Sequence, residues 1–350
     1  MLSPGTNNGF QIYFADVSHC ELSSGLTQTC PVNIKIVSQS ANGTLANTNG
    51  IGNVCASIPT YIQFPGSCDP RISPDGRFVA FISKDASLGV TNGNLQLFVA
   101  DSCQSSGTQV CGNPQAYGPF SVFDNKQANA DVITPSIANL GRYLAFASTA
   151  TNLTPSSTPT SGHSQVYFVD DCTPWALVPN CTPSAIIAST PDGTTAGNND
   201  STLPAINERG DSIFFESLAT NLYPLASGIH RSPTCALTPS CCTCKAGAGI
   251  LVNRSTPLNG TSSSWPIPSP DSSLLVFSSN STNTALTSSN QQLVYTASFN
   301  WPPFYTVTLP FPFCIFQIWH LVLTLILVLI VIVFAYRWFR VNRGAARNAS

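Results

Sequence analysis

The sequence predicts an all-β array of repeated antiparallel sheets, followed by one transmembrane α-helix. Three observations carry this prediction: an internal repeat, an abundance of Ser, Thr, Asn, Gly and Pro, and one long apolar run near the C-terminus. The turn-forming residues indicate many short strands. The 350 residues are 43% hydrophobic and include 20 Phe, which favours a buried core over a disordered chain.

The repeat is clearest in four segments that each begin with proline. They read PRISPDGRFVAFIS from Pro70, PSIANLGRYLAFAS from Pro135, PAINERGDSIFFES from Pro204 and PIPSPDSSLLVFSS from Pro266, at spacings of 65, 69 and 62 residues. Each is expected to form a turn and then an apolar strand ending in Phe-x-Ser. The four phenylalanines should occupy equivalent core positions, and these are Phe81, Phe146, Phe215 and Phe277. Arg77, at the turn exit, is expected to face water.

A second apolar strand follows in most units, and these strands align on four glutamines. They read NGFQIYFADV, GNLQLFVADS, HSQVYFVDDC and NQQLVYTASF, aligned on Gln11, Gln96, Gln165 and Gln292. The unit from residue 201 lacks a clean copy near Gly228. A turn closed by cysteines and a third short strand come next, with room for a fourth strand near the leading proline. The units start near residues 1, 67, 132, 201 and 263, and they must stack because one such sheet cannot bury both of its faces.

The residues SPDGRFVAF, GRYLAF and QIYFAD carry a family resemblance. They resemble the TolB-type, WD-repeat-like β-propeller repeats of bacterial envelope proteins, over residues 1–300. The resemblance implies an all-β, propeller-like array of about four to five antiparallel blades. It implies no particular activity, because propellers host many functions. The full Ser-x-Asp-Gly-Arg turn occurs only from Ser73 to Arg77.

Thirteen cysteines, most in short-range pairs, favour disulfides and an oxidising compartment. Bridges are expected for 20–30, 55–68, 103–111 and 172–181. Two more are expected among Cys235, Cys241, Cys242 and Cys244, where three connectivities are open and a soft-metal or redox site is the alternative. The twelve candidates are Cys20, Cys30, Cys55, Cys68, Cys103, Cys111, Cys172, Cys181, Cys235, Cys241, Cys242 and Cys244.

Residues 313–336 read FCIFQIWHLVLTLILVLIVIVFAY and predict a membrane-spanning helix. A linker rich in Pro and aromatic residues (301–312) precedes it, and a tail with four arginines (337–350) follows. Because basic tails stay on the cytoplasmic side, residues 1–300 are expected outside the cytoplasm, in the periplasm or at the cell surface. No signal peptide opens the sequence, so we expect the true start to lie upstream.

Catalytic patterns are not evident in the sequence. It has no G-x-S-x-G, H-E-x-x-H or phosphate-binding glycine loop, and we assign no catalytic, cofactor or metal residue. His19, His163 and His230 are expected in loops or at strand ends. The recurring Asp16, Asp101 and Asp170 either form a ring of carboxylates for a cation or, as we favour, cap turns.

The charge distribution shows no basic face, which argues against nucleic-acid binding. The sequence therefore favours a membrane-anchored, non-catalytic binding or scaffold module for protein or glycan partners. The alternative is a glycan-active hydrolase or lyase that uses the central face of the array.

Overall fold

The computed structural model describes residues 11–16, 33–46, 66–103, 114–153, 162–172, 184–193, 195–222, 228–234, 250–251, 263–279 and 293–298. Contacts divide the chain into two units, and all of these residues belong to the unit formed by Met1–Leu237 and Lys245–Trp301. The predicted linker, transmembrane helix and tail lie outside the described residues. No helix within the described ranges is long and apolar enough to cross a membrane.

The described chain folds into five successive antiparallel sheets and one short two-stranded hairpin. Sheet 1 contains β1 (Tyr13–Asp16) and β2 (Asn33–Ile36), and sheet 2 contains β3 (Ser67–Ile72), β4 (Phe78–Ser83), β5 (Gln96–Asp101) and β6 (Gln115–Tyr117). A hairpin of β7 (Val122–Phe123) and β8 (Lys126–Gln127) leads to sheet 3, which contains β9 (Val132–Ile137), β10 (Tyr143–Ser148), β11 (Gln165–Asp170) and β12 (Ser184–Ile187). Sheet 4 contains β13 (Ser201–Ile206), β14 (Ser212–Ser217), β15 (Gly228–Pro233) and β16 (Ile250–Leu251), and sheet 5 contains β17 (Ser263–Pro268), β18 (Leu274–Ser279) and β19 (Leu293–Ser298). Two 3-10 helices, Ala86–Leu88 and Asn139–Gly141, complete the described elements.

Each sheet is a meander whose strands pair in chain order, and neighbouring sheets pack through their first strands. Strand β3 lies against β9, β9 against β13, and β13 against β17. The first strands of sheets 2 to 5 therefore lie next to one another along one edge of the described array, which we name the first-strand edge. This confirms the all-β, antiparallel part of the predicted fold.

The leading prolines lie inside the first strands rather than just before a turn. The residue before each proline has a positive φ, from 48° to 58°, and strand pairing shifts register there. Because proline has no N–H to donate, a bulge at this point keeps the rest of the ladder intact. The fourth strand for which the sequence left room is this first strand. The pre-proline residues are Asp69, Thr134, Leu203 and Trp265.

The hydrophobic core lies between consecutive sheets, and the repeated phenylalanines are central to it. Each is the fourth residue of its sheet's second strand and faces the preceding sheet. Their exposed fractions are 0% for Phe81, Phe146 and Phe215, and 9% for Phe277. The prediction of equivalent core positions is confirmed.

An aromatic ring on the third strand stacks against this phenylalanine. Ring centroids are 5.7 Å apart for Phe81 and Phe98, and 5.4 Å apart for Phe146 and Tyr167. In sheet 4 the partner of Phe215 is His230, at 5.8 Å. Two expectations were therefore wrong: the unit from 201 does have this strand, and His230 is fully buried rather than in a surface loop. The imidazole of His230 takes the place that a phenyl or phenol ring has in sheets 2 and 3. A search for apolar residues in the sequence therefore misses this strand.

Three of the four aligned glutamines are described and form a repeated clamp, which is buried at Gln96 and Gln165; Gln292 lies outside the described residues. Gln96 Nε2 donates to the carbonyl of Ala128 at 2.9 Å, and Gln96 Oε1 accepts from Ser121 Oγ at 2.6 Å. Gln165 makes the same two kinds of bond, and Gln11 also accepts from a serine. Since buried amides need partners, this clamp accounts for glutamine at that position.

Candidate binding face at the turns between first and second strands

Two Arg–Asp pairs connect these turns to the third strands. The Arg77 guanidinium donates to Asp101 at 2.6 and 3.0 Å, and Arg142 donates to Asp170 at 2.6 and 2.8 Å. The Asp101 side chain is only 4% exposed. The expectation that Arg77 simply faces water was therefore wrong, because two parallel hydrogen bonds hold it against the sheet.

The same aspartates also cap the turns that follow. Asp101 accepts from the backbone N–H of Cys103 at 2.9 Å, and Asp170 accepts from that of Cys172 at 3.1 Å. This confirms the structural interpretation of these two residues. The arginine partners were missed, although the sequence contains a signal: the unit from 201 has Asp211 at the arginine position and Pro233 at the aspartate position.

We predict that Arg77→Ala lowers the free energy of unfolding by about 1.5–3 kcal/mol, because it leaves a buried carboxylate without its charged partner. The double variant Arg77→Ala/Asp101→Ala should lose less than the sum of the single changes. Urea unfolding of the oxidised protein measures both. Arg71→Ala, at an exposed residue of the neighbouring strand, is the control and should stay within about 0.5 kcal/mol. Equal effects of the two arginine changes would contradict the assignment.

Three of the twelve cysteine candidates lie in the described ranges. Cys68, Cys103 and Cys172 are disulfide-bonded. The nine other candidates, among which their partners are expected, lie outside the described residues, so the pairing stays a prediction. Cys103 and Cys172 lie two residues after the third strands of sheets 2 and 3, at the end of the array that carries the turns.

Glycines in the turns pack against aromatic rings of the preceding sheet. Gly141 and Gly210 both have φ of +74°. A Cβ on Gly141 would lie 2.6 Å from Phe78 Cγ, and one on Gly210 would lie 2.5 Å from Tyr143 Cδ2. Glycine is required here both for the left-handed backbone and for the close approach. These contacts fix each turn relative to the sheet before it.

The turns of sheets 3, 4 and 5 line a cleft of about 440 Å³, which we name the turn cleft. The Asn139 N–H donates to the Glu208 carbonyl at 2.9 Å and joins two of the turns. Asn207 Nδ2 lies 3.4 Å from the Pro270 carbonyl and links the third. The lining residues are Asn139, Leu140, Tyr143, Glu208, Arg209, Pro270 and Asp271.

Leu140 projects apolar surface at the turn cleft. Its side chain is 63% exposed and its φ is +60°. A left-handed conformation costs a residue with a Cβ about 1–2 kcal/mol. Strain at an exposed leucine is an outlier of the kind that motivates a functional hypothesis.

The charged groups of the turn cleft are two carboxylates and one guanidinium, from Glu208, Asp271 and Arg209. Hydrogen bonds from the Ser273 backbone and from the Ser273 and Ser269 side chains lower the pKa of Asp271 to about 2. Asp271 is therefore ionised at all physiological pH values. The cleft has one negative charge in excess.

The enzyme alternative requires catalytic groups on the central face of the array, and the first-strand edge is the candidate for that face. Among the described first strands it carries a single carboxylate, Asp69, whose pKa is raised by burial. Glycoside hydrolysis generally uses a pair of carboxylates that flank the scissile bond. The described part of the chain also contains no group of three or more His, Cys, Asp or Glu able to hold a metal ion.

Comparison with known proteins gives structural neighbours only. No protein-family model and no curated protein matches the sequence. A protein assigned as TolB from Agrobacterium tumefaciens aligns at 14% identity and a TM-score of 0.38, over 76% of this chain and 69% of that one. TolB from Acinetobacter baumannii aligns at 12% and 0.37, over 77% and 46%. An α-L-arabinofuranosidase from Lactobacillus brevis aligns at 11% and 0.36, over 78% and 79%. Similarity at this level carries no argument about activity, and the fold assignment rests on the strand topology.

Proposed function

We propose that this protein is a non-catalytic binding module whose partner docks at the turn cleft. The observation that carries the proposal is the exposed, conformationally strained Leu140 at a cleft built from three consecutive turns. Loops positioned by a rigid scaffold are common binding sites. Here the Arg142–Asp170 pair and the packed glycines hold the turns in place before any partner arrives.

The proposed setting is a membrane surface outside the cytoplasm. The apolar run 313–336 is long enough to span a bilayer, and the arginines after it favour a cytoplasmic C-terminus. Disulfide-bonded cysteines agree with an oxidising compartment. The binding face would then be presented to protein or glycan partners at the periplasmic or cell surface.

The proposal is tested by panning the full chain, in detergent, against a random peptide display library and a glycan array. Selected ligands should bind wild type and lose binding to Leu140→Asn. Asparagine tolerates the left-handed backbone, so this change removes apolar surface without threatening the fold. Ligands that bind both forms equally would contradict the turn cleft as the site. Release of sugar products from a bound glycan would contradict the non-catalytic assignment and support the hydrolase or lyase.

A further inference from the structure

We infer that the turn cleft accepts a lysine or arginine side chain from an extended peptide of a protein partner. This inference rests on the proposed function and specifies the chemistry of its ligand. It follows from three features of the cleft: its apolar surface, its excess of carboxylate, and the contacts that its aromatic residue already makes within the protein.

The apolar surface suits the stem of a long side chain. Leu140 projects at the cleft from one turn, and Pro270 lies in another. Lysine and arginine carry three or four methylene groups that pack against such surface while the charged end stays in water. A short polar side chain would leave Leu140 exposed.

The carboxylates suit the charged end. Glu208 belongs to the turn of sheet 4 and Asp271 to that of sheet 5, so the two carboxylates approach the cleft from different turns. Glu208 Oε1 accepts a bond from Asn139 Nδ2 at 3.4 Å, and Asp271 accepts from the serines of its own turn. Each carboxylate has two oxygens and further acceptor capacity. Arg209 opposes them with a single positive charge.

The aromatic residue at the cleft, Tyr143, already contacts other side chains of the protein. The Arg142 guanidinium lies 4.9 Å from the ring centroid of Tyr143, and the Phe168 ring is stacked on the same tyrosine at 5.8 Å. Gly210 packs against the ring edge. These contacts already occupy part of the Tyr143 ring and leave less of it for stacking with a sugar ring, which favours a peptide over a neutral glycan at this site.

The test uses three fluorescein-labelled probe peptides, Gly-Ser-Leu-X-Leu-Ser-Gly with X as Lys, Gln or Glu, and fluorescence anisotropy with the full chain. The Lys peptide should bind wild type more tightly than the Gln peptide, and the Glu peptide should bind least. Glu208→Gln should weaken the Lys peptide about two- to fivefold, and Arg209→Gln should strengthen it by a similar factor. Higher salt should shrink both differences.

Asp75→Asn is the matched control. Asp75 holds in sheet 2 the turn position that Asp271 holds in sheet 5, and it is exposed but lies outside the cleft. Its replacement removes the same charge and should leave affinity unchanged. If Asp75→Asn and Glu208→Gln weaken binding of the Lys peptide equally, the peptide is attracted by the overall charge of the protein and not by the cleft, and the inference is overturned.

The remaining outcomes separate this inference from the proposed function. If Leu140→Asn abolishes binding while Glu208→Gln and Arg209→Gln change nothing, the turn cleft is the site but the cationic ligand is wrong. If a neutral oligosaccharide displaces the Lys peptide, a glycan is the ligand. If Leu140→Asn binds like wild type, the proposed site itself is wrong.

Discussion

Replacing Phe146 with alanine should lower the free energy of unfolding by about 3–5 kcal/mol, because it empties a fully buried ring position between sheets 2 and 3. Phe81→Ala and Phe215→Ala should cost similar amounts. Losses of this size are a large share of the 5–15 kcal/mol by which domains are stable. Urea unfolding monitored by circular dichroism measures them.

Two further variants test whether the loss of stability depends on burial. Phe277→Ala should cost less, since Phe277 is 9% exposed and belongs to the smallest of the described intersheet clusters. Ile72→Ala, at a residue that is 57% exposed, should change stability by no more than about 0.5 kcal/mol. If the four phenylalanine variants scatter without relation to burial, the repeat alignment does not describe the core.

Gly141→Ala should cost about 2–5 kcal/mol, which combines about 1–2 for the left-handed backbone with about 1–3 for the clash with Phe78. The matched control is Gly76→Ala. Gly76 also has φ of +74°, but a Cβ there meets nothing within 4 Å. The control should therefore show the backbone cost alone. The difference between the two variants measures the packing between sheets, and no difference would contradict the described contact.

The strand pattern was predictable because each unit buries the same face. Alternation of apolar residues and the recurring Phe-x-Ser placed the second strands and the buried phenylalanines. The bulge in the first strand was not predictable from this apolar pattern. A bulge is a shift in register against a partner strand, and the sequence around each proline does not show which strand is the partner. Strand β15 was missed because His230 and Arg231 are buried through stacking and through hydrogen bonds to Ser212, not through apolar character.

The candidate site was less predictable than the fold. The turn cleft depends on three turns that are far apart in sequence and meet only through sheet packing. Asn139, Leu140 and Glu208 look like ordinary turn residues in isolation. Leu140 has a left-handed φ, which favours glycine or asparagine and is not expected of leucine. The Arg–Asp pairs, by contrast, could have been found from their joint presence in two units and joint absence in a third.

The central claim is that each turn packs on the sheet before it and that this packing builds the turn cleft. The contact between the Tyr143 ring and Gly210 is the most direct place to test it. A double-mutant cycle of Tyr143→Ala and Gly210→Ala, followed by urea unfolding, measures the coupling between the two residues. We predict that alanine at position 210 costs much less once the ring is removed, with a coupling energy of about 1 kcal/mol or more. Additive changes, equal within about 0.5 kcal/mol, would mean that the Tyr143 ring does not pack against the backbone at position 210 and would contradict both the stacking of the sheets and the geometry of the turn cleft.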